Sequence, residues 1–178
     1  MTWDEIALDT PRPALTVTNC VFENNSVGGK GNGMCISVPS VFVTNCTFAG
    51  NDSGGGDEIY NGVSFYYYTY DYYLHPSIDV QPVMENCIVR NGARSDSSPI
   101  HEQFDPASPF ALAVKYSCVK GGYAGTGNID ADPLFSNAEI GDVRLSPGSP
   151  CIDTGTADGA PEADILGIPR PQGAGYDM

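Results

Sequence analysis

VTNCVFENN at 17–25, VTNCTFAGN at 43–51 and MENCIVRNG at 84–92 repeat one frame: an apolar residue, any residue, Asn, Cys, any residue, an apolar residue. A weaker fourth copy, VKYSCVKGG, occupies 114–122. From Cys20 to Cys46, Cys87 and Cys118 the steps are 26, 41 and 31 residues. The repeating unit is therefore about 25 residues, with extra loop in two copies. One unit of this size cannot bury its apolar side alone, so neighbouring units must cover one another.

A parallel β-solenoid meets that requirement. Each coil lies about 4.8 Å above the last, so equivalent residues form ladders along the axis. Cys20, Cys46 and Cys87 are predicted to form an inward thiol ladder, flanked by Val17, Val43 and Met84 on one side and by Phe22, Phe48 and Val89 on the other. Free cysteine suits this place as a small, readily buried hydrophobe. Asn19, Asn45 and Asn86 fall at the bend before each cysteine, where asparagine tolerates the left-handed conformation. Their amides are expected to satisfy the backbone of the neighbouring coil. In the fourth copy Lys120 stands where Phe22 and Phe48 stand, which would bury a charge. A one-residue shift that turns Val119 inward removes the conflict.

Composition agrees with an all-β chain. With 21 Gly, 14 Pro and only 17% charged residues, the sequence provides many turns and little long helix, and its 178 residues fit one domain. A formal charge of −14 opposes phosphate backbones and anionic lipid, so nucleic acid is not an expected partner. No run approaches the roughly 18 apolar residues of a membrane span, so no membrane insertion is expected. Residues 1–15 lack the pattern of a signal peptide, and any export signal is expected upstream of Met1. The six cysteines form no CxxC or Cys/His cluster of zinc type.

Beyond the frames, GGGDEIYN at 54–61 followed by PVMENCIV at 82–89 resembles the coils of bacterial right-handed β-helix proteins of the pectate-lyase-like superfamily. Three tail segments, GGYAGTGNIDADPLF at 121–135, DVRLSPGSPCIDTG at 142–155 and ILGIPRPQGAGYDM at 165–178, resemble the closing part of such proteins. The resemblance implies a single-stranded right-handed parallel β-helix of about four to six coils with an irregular C-terminal cap, within one domain over 1–178. Residues 1–15 would be an N-terminal cap or first strand, 16–125 the repeat coils with a Tyr-rich insertion at 62–76, and 126–178 the final coil and cap. It further implies the C-terminal segment of a secreted or bacterial cell-surface protein. Activity does not follow, because this scaffold carries lyases, hydrolases, adhesins and phage-tail proteins alike.

Function must therefore come from particular residues. SFYYYTYDYYLH at 64–75 presents Tyr66, Tyr67, Tyr68, Tyr70, Tyr72 and Tyr73, whose flat faces and polar tips suit sugar rings or a protein surface, or cover one flank of the coils. Lyases of the superfamily need a basic residue beside a uronate carboxylate. Arg90 and Lys115 are the basic candidates, read as sharing a face, with Glu85 near them. Among acidic pairs, Asp57 and Glu58 are adjacent and so point to opposite faces of a strand. Asn128, Asp130 and Asp132 alternate in NIDADP and form a minimal oxygen set for calcium, or simply a turn before Pro133. No other cofactor is expected, and His75 and His101 have no partner at metal-ligand spacing.

The expected function is a non-catalytic extracellular β-helix scaffold or binding module, with polysaccharide or protein as partner through the Tyr-rich loop. The alternative is a fragment of a polysaccharide lyase or glycoside hydrolase. Self-association through open solenoid ends or through the loop is a further expectation.

Overall fold

Brief runs of β-branched and aromatic residues between asparagines and glycines favour short strands closed by left-handed bends. The computed structural model describes residues 14–25, 33–36, 41–51, 63–65, 81–90, 100–102 and 111–178. Among them lie thirteen strands and one 3₁₀ turn, so the chain is nearly all-β. The first frame forms β1 (Leu15–Thr18) and β2 (Val21–Glu23), and β3 (Met34–Ile36) follows. The second forms β4 (Val41–Thr44) and β5 (Thr47–Ala49), then β6 (Val63–Phe65). The third forms β7 (Val83–Glu85) and β8 (Ile88–Arg90), then β9 (Ile100–Glu102). The fourth forms β10 (Ala113–Lys115) and β11 (Cys118–Val119).

Three parallel sheets result, in the orders β1-β4-β7-β10, β2-β5-β8-β11 and β3-β6-β9. The chain adds one strand to each sheet in turn before returning to the first. Register follows the repeated frame: Val17 pairs with Val43 and Val43 with Met84, while Phe22 pairs with Phe48 and Phe48 with Val89. In the fourth frame Val119 pairs with Val89, so the anticipated one-residue shift is present and Lys120 does not enter the core column. One buried cluster draws on all three sheets, including Val43, Met84 and Val114, then Phe48, Val89 and Val119, and Ile100. At one end of the column the rings of Phe22 and Phe48 stack with centroids 4.8 Å apart.

The thiols lie between these columns. Cys46 Sγ donates to Thr44 O at 3.4 Å and accepts from the Cys20 backbone N–H at 3.4 Å. Cys87 Sγ reaches Glu85 O at 3.2 Å and Val43 O at 3.6 Å. Ser117 takes the next place in the series: its hydroxyl donates to Lys115 O at 2.8 Å and accepts from the Cys87 N–H at 3.1 Å. A hydroxyl thus continues what three thiols begin, and Cys118 is displaced to the outer side of β11.

Asn19, Asn45 and Asn86 adopt positive φ of 54°, 52° and 53°, as their place at a bend requires, and Tyr116 occupies the fourth bend at 46°. Their amides, however, do not bridge adjacent frames. Asn19 Nδ2 donates to Ala163 O at 2.8 Å, Asn45 Nδ2 to Asp177 O at 3.2 Å, and Asn86 Nδ2 to Thr156 O at 2.8 Å. Bridging amides stand instead at the next bend, where Asn51 Oδ1 accepts the Asn25 N–H at 3.0 Å and Asn51 Nδ2 donates to Phe22 O at 2.9 Å. The reason is directional: at the first bend the side chain points outward, towards the tail.

That tail takes its course from what the sheets leave uncovered. Ile88 and Cys118 face outward from the second sheet and would otherwise meet water. After β11, Ile129 bridges to Cys118, and the chain turns back as an antiparallel ribbon of β12 (Phe135–Asn137) and β13 (Asp142–Leu145) around the 3₁₀ turn Ala138–Ile140. Cys151 and Met178 then join Ile88 and Cys118 in a second buried cluster, with Ile129, Phe135 and Leu145 packed against it. Residues 126–131 thus stack on the fourth frame, and the chain beyond them reaches all three asparagines through Thr156, Ala163 and Asp177.

Candidate functional site

On the outer side of the second sheet, Glu23, Ala49 and Arg90 occupy the same frame position on β2, β5 and β8. The small residue in the middle leaves a gap between an acid and a base. The ribbon roofs this gap, and a cleft of about 330 Å³ remains between the two. Glu23, Asn24, Ala49, Gly50 and Arg90 form its floor, and Asp132, Pro133, Phe135, Glu139 and Val143 contribute to its walls and roof. Gly141, at φ 79°, closes the 3₁₀ turn in the left-handed region. The positive φ favours glycine, and the roof comes down against the Glu23 carboxylate, which a side chain at 141 would have to push aside.

The charges are arranged at the edges of an apolar pocket. Arg90 Nη1 lies 3.3 Å from Asp130 Oδ1, with side chains 20% and 51% exposed. Such a pair is partly screened by solvent and contributes about 1 kcal/mol or less. Glu139 is exposed at the rim. Phe135, Pro133 and Val143 supply the apolar surface, so a ligand here meets acceptors at one end, a guanidinium at the other and a ring beside it.

Arg90 and Lys115 stand on different sheets and do not share a face. Lys115 pairs across the strand with Glu85, Nζ to Oε1 at 3.3 Å, on the first sheet. Arg90 alone reaches the cleft. Asn128, Asp130 and Asp132 each have a partner of their own. Asn128 Oδ1 accepts the Ser117 N–H at 3.1 Å and its Nδ2 donates to Val114 O and Tyr123 O, so the amide serves as backbone cement between the fourth frame and the next turn. Asp130 meets Arg90, and Asp132 Oδ1 accepts the Leu134 N–H at 2.9 Å. Among the described residues, no three His, Cys, Asp or Glu side chains gather as a metal-holding group. Nor is any helix among them long and apolar enough to cross a membrane.

Tyr66, Tyr67, Tyr68, Tyr70, Tyr72 and Tyr73 lie outside the described residues, as do Asp57, Glu58 and His75. The cleft residues Glu23, Ala49, Phe135 and Glu139 escaped the sequence reading. The floor had a signal, since Glu23, Ala49 and Arg90 share an offset of three from Cys20, Cys46 and Cys87. The roof had none, because its contact with β2 joins residues more than a hundred positions apart. Comparison of the chain with protein-family models, with curated proteins and with solved structures gives no match.

Proposed function

We propose that the chain is a single-stranded right-handed parallel β-helix that serves as a non-catalytic extracellular or cell-surface binding module for polysaccharide. The observation that carries this reading is the roofed cleft on the flank, with Glu23 and Arg90 separated by Ala49 beneath Phe135. A sugar ring offers apolar C–H faces and hydroxyls that both donate and accept, which fits an aromatic side chain between carboxylates and a guanidinium. The volume lies near the small end of ligand sites, about 300 Å³, so one sugar unit of a longer polymer is the expected occupant. In support of the winding, three parallel sheets receive strands in strict rotation. The tyrosines from Tyr66 to Tyr73, which follow β6 in the sequence, are the second contact surface in this reading.

Calorimetric titration with neutral and uronate-containing oligosaccharides tests it. Binding is expected at a Kd on the order of 10–1000 µM, as suits a small exposed cleft. Ala49→Leu, which fills the gap, is expected to weaken binding about tenfold or more, the equivalent of roughly 1.4 kcal/mol, while leaving the melting temperature near that of the parent. If no oligosaccharide binds the parent chain, the carbohydrate reading fails. A second reading, cleavage of a uronate polymer, is favoured by one observation: Arg90 shares the cleft with Glu23 and Glu139. Release of ultraviolet-absorbing unsaturated product by the purified protein would replace the binding module with a lyase.

A further inference from the structure

Five cysteines have described side chains, and all five are free thiols. Cys20, Cys46 and Cys87 follow the inward ladder. Cys118 does not, because Ser117 holds the ladder position and turns the next residue outward. There Cys118 is 0% exposed, and so is Cys151, which arrives from the tail 33 positions later. Both belong to the buried cluster with Ile88 and Met178 that joins the tail to the second sheet. Cys118 Sγ donates to Ala131 O at 3.2 Å. Within the cluster each thiol is the first influence on the other's acidity: Cys118 is lowered to about 7, whereas Cys151 is pushed up. Two thiols on two separate segments thus share one buried cluster where nothing in the repeat calls for either.

We propose that Cys118 and Cys151 are the site of a reversible disulfide that fastens the C-terminal tail to the parallel sheets. The oxidant is a low-molecular-weight disulfide, R–S–S–R, acting by exchange. Both sulfurs are covered, so the tail must first lift, breaking the 3.0 Å bond from the Met178 N–H to Cys151 O. The Cys118 thiolate attacks one sulfur of R–S–S–R, forming a mixed disulfide and expelling R–S⁻, which takes up a proton. As the tail closes, Cys151 gives its proton to solvent and attacks the Cys118 sulfur, expelling the second R–S⁻. Two protein thiols lose two electrons and two protons, and two molecules of R–SH are formed. A bond within the inward ladder would link strands that backbone bonds already join, such as Thr47 N–H to Cys20 O and Ile88 N–H to Cys46 O. The outward pair ties together segments that otherwise separate.

The test is disulfide mapping of the full chain equilibrated with oxidised and reduced glutathione, quenched with an alkylating reagent, digested and weighed. A peptide linking Cys118 to Cys151 is expected in about tenfold excess over any link among Cys20, Cys46 and Cys87. Recovery of Cys118 and Cys151 as alkylated free thiols under conditions that oxidise the ladder overturns the proposal. In Cys151→Ala, Cys118 is expected to carry glutathione as a mixed disulfide. An intramolecular link from Cys118 in that variant equally overturns it. In the parent chain, a cut within residues 135–145 is expected to release the tail only after reductant is added, and release from the oxidised protein without reductant counts against the bond.

Discussion

Asn86 shows how much one side chain does here. It is fully buried, bends the chain at φ 53°, donates to Thr156 O and accepts the Thr156 N–H at 2.7 Å. Gly155 must remain without a side chain, because a Cβ there would sit 2.8 Å from Asn86 Oδ1. Asn86→Ala removes two partly buried hydrogen bonds and strains the left-handed bend, so it is expected to cost about 3 kcal/mol, measured by urea unfolding. Asn45→Ala is expected to cost less, about 1–2 kcal/mol, because Asn45 Oδ1 is buried without a partner and its loss relieves that penalty. A second test concerns Cys87. Burial raises its thiol well above the ordinary value of 9.0, and contact with Cys46 adds to the effect. Above pH 9 the unfolded chain releases this proton and the folded chain keeps it, so the unfolded state binds fewer protons and stability falls as pH rises. The slope is expected to be up to about 1.4 kcal/mol per pH unit, and Cys87→Ala should make the alkaline decline shallower. Cys46, lowered by the same contact, contributes below pH 9 but not to this limb.

Strands contribute through columns rather than singly. Phe48 on β5 is fully buried and lies between Phe22 and Val89 in register. Phe48→Ala is expected to cost about 4 kcal/mol, because it leaves a void and removes a stacked ring, and the midpoint of chemical unfolding will register it. The columns were legible in the sequence because each frame repeats the same residue types at the same offsets. Even the displaced fourth frame declared itself, through the conflict that Lys120 would create in the core. The outward role of Asn19, Asn45 and Asn86 was not legible, since an asparagine at a bend can serve either a neighbouring frame or a distant segment. Asn25 and Asn51 share their offset from Cys20 and Cys46, and the bridge between frames stands at that bend. Half of the cleft was readable in the Glu23, Ala49 and Arg90 column. The ribbon above it was not, because turn-rich chain between 121 and 148 gives no local sign of which surface it will cover.

Across the whole molecule, the tail connects parts that the sheets alone do not. Removing residues 149–178 uncovers Ile88 and Cys118 and strips the partners from three asparagines. A loss of roughly 4 kcal/mol is expected from the two apolar side chains alone, together with new binding of a hydrophobic dye, both readable on the truncated protein. Repeat arrays in which each unit touches only its neighbours behave as one-dimensional chains that fray from either end. Here a strand of polypeptide from the far end is hydrogen-bonded to Asn19, Asn45 and Asn86 together. Opening the first unit therefore disturbs the anchorage of the third, and partial melting loses its advantage. The array gains the all-or-none character of a globule, held shut along its length like a laced seam.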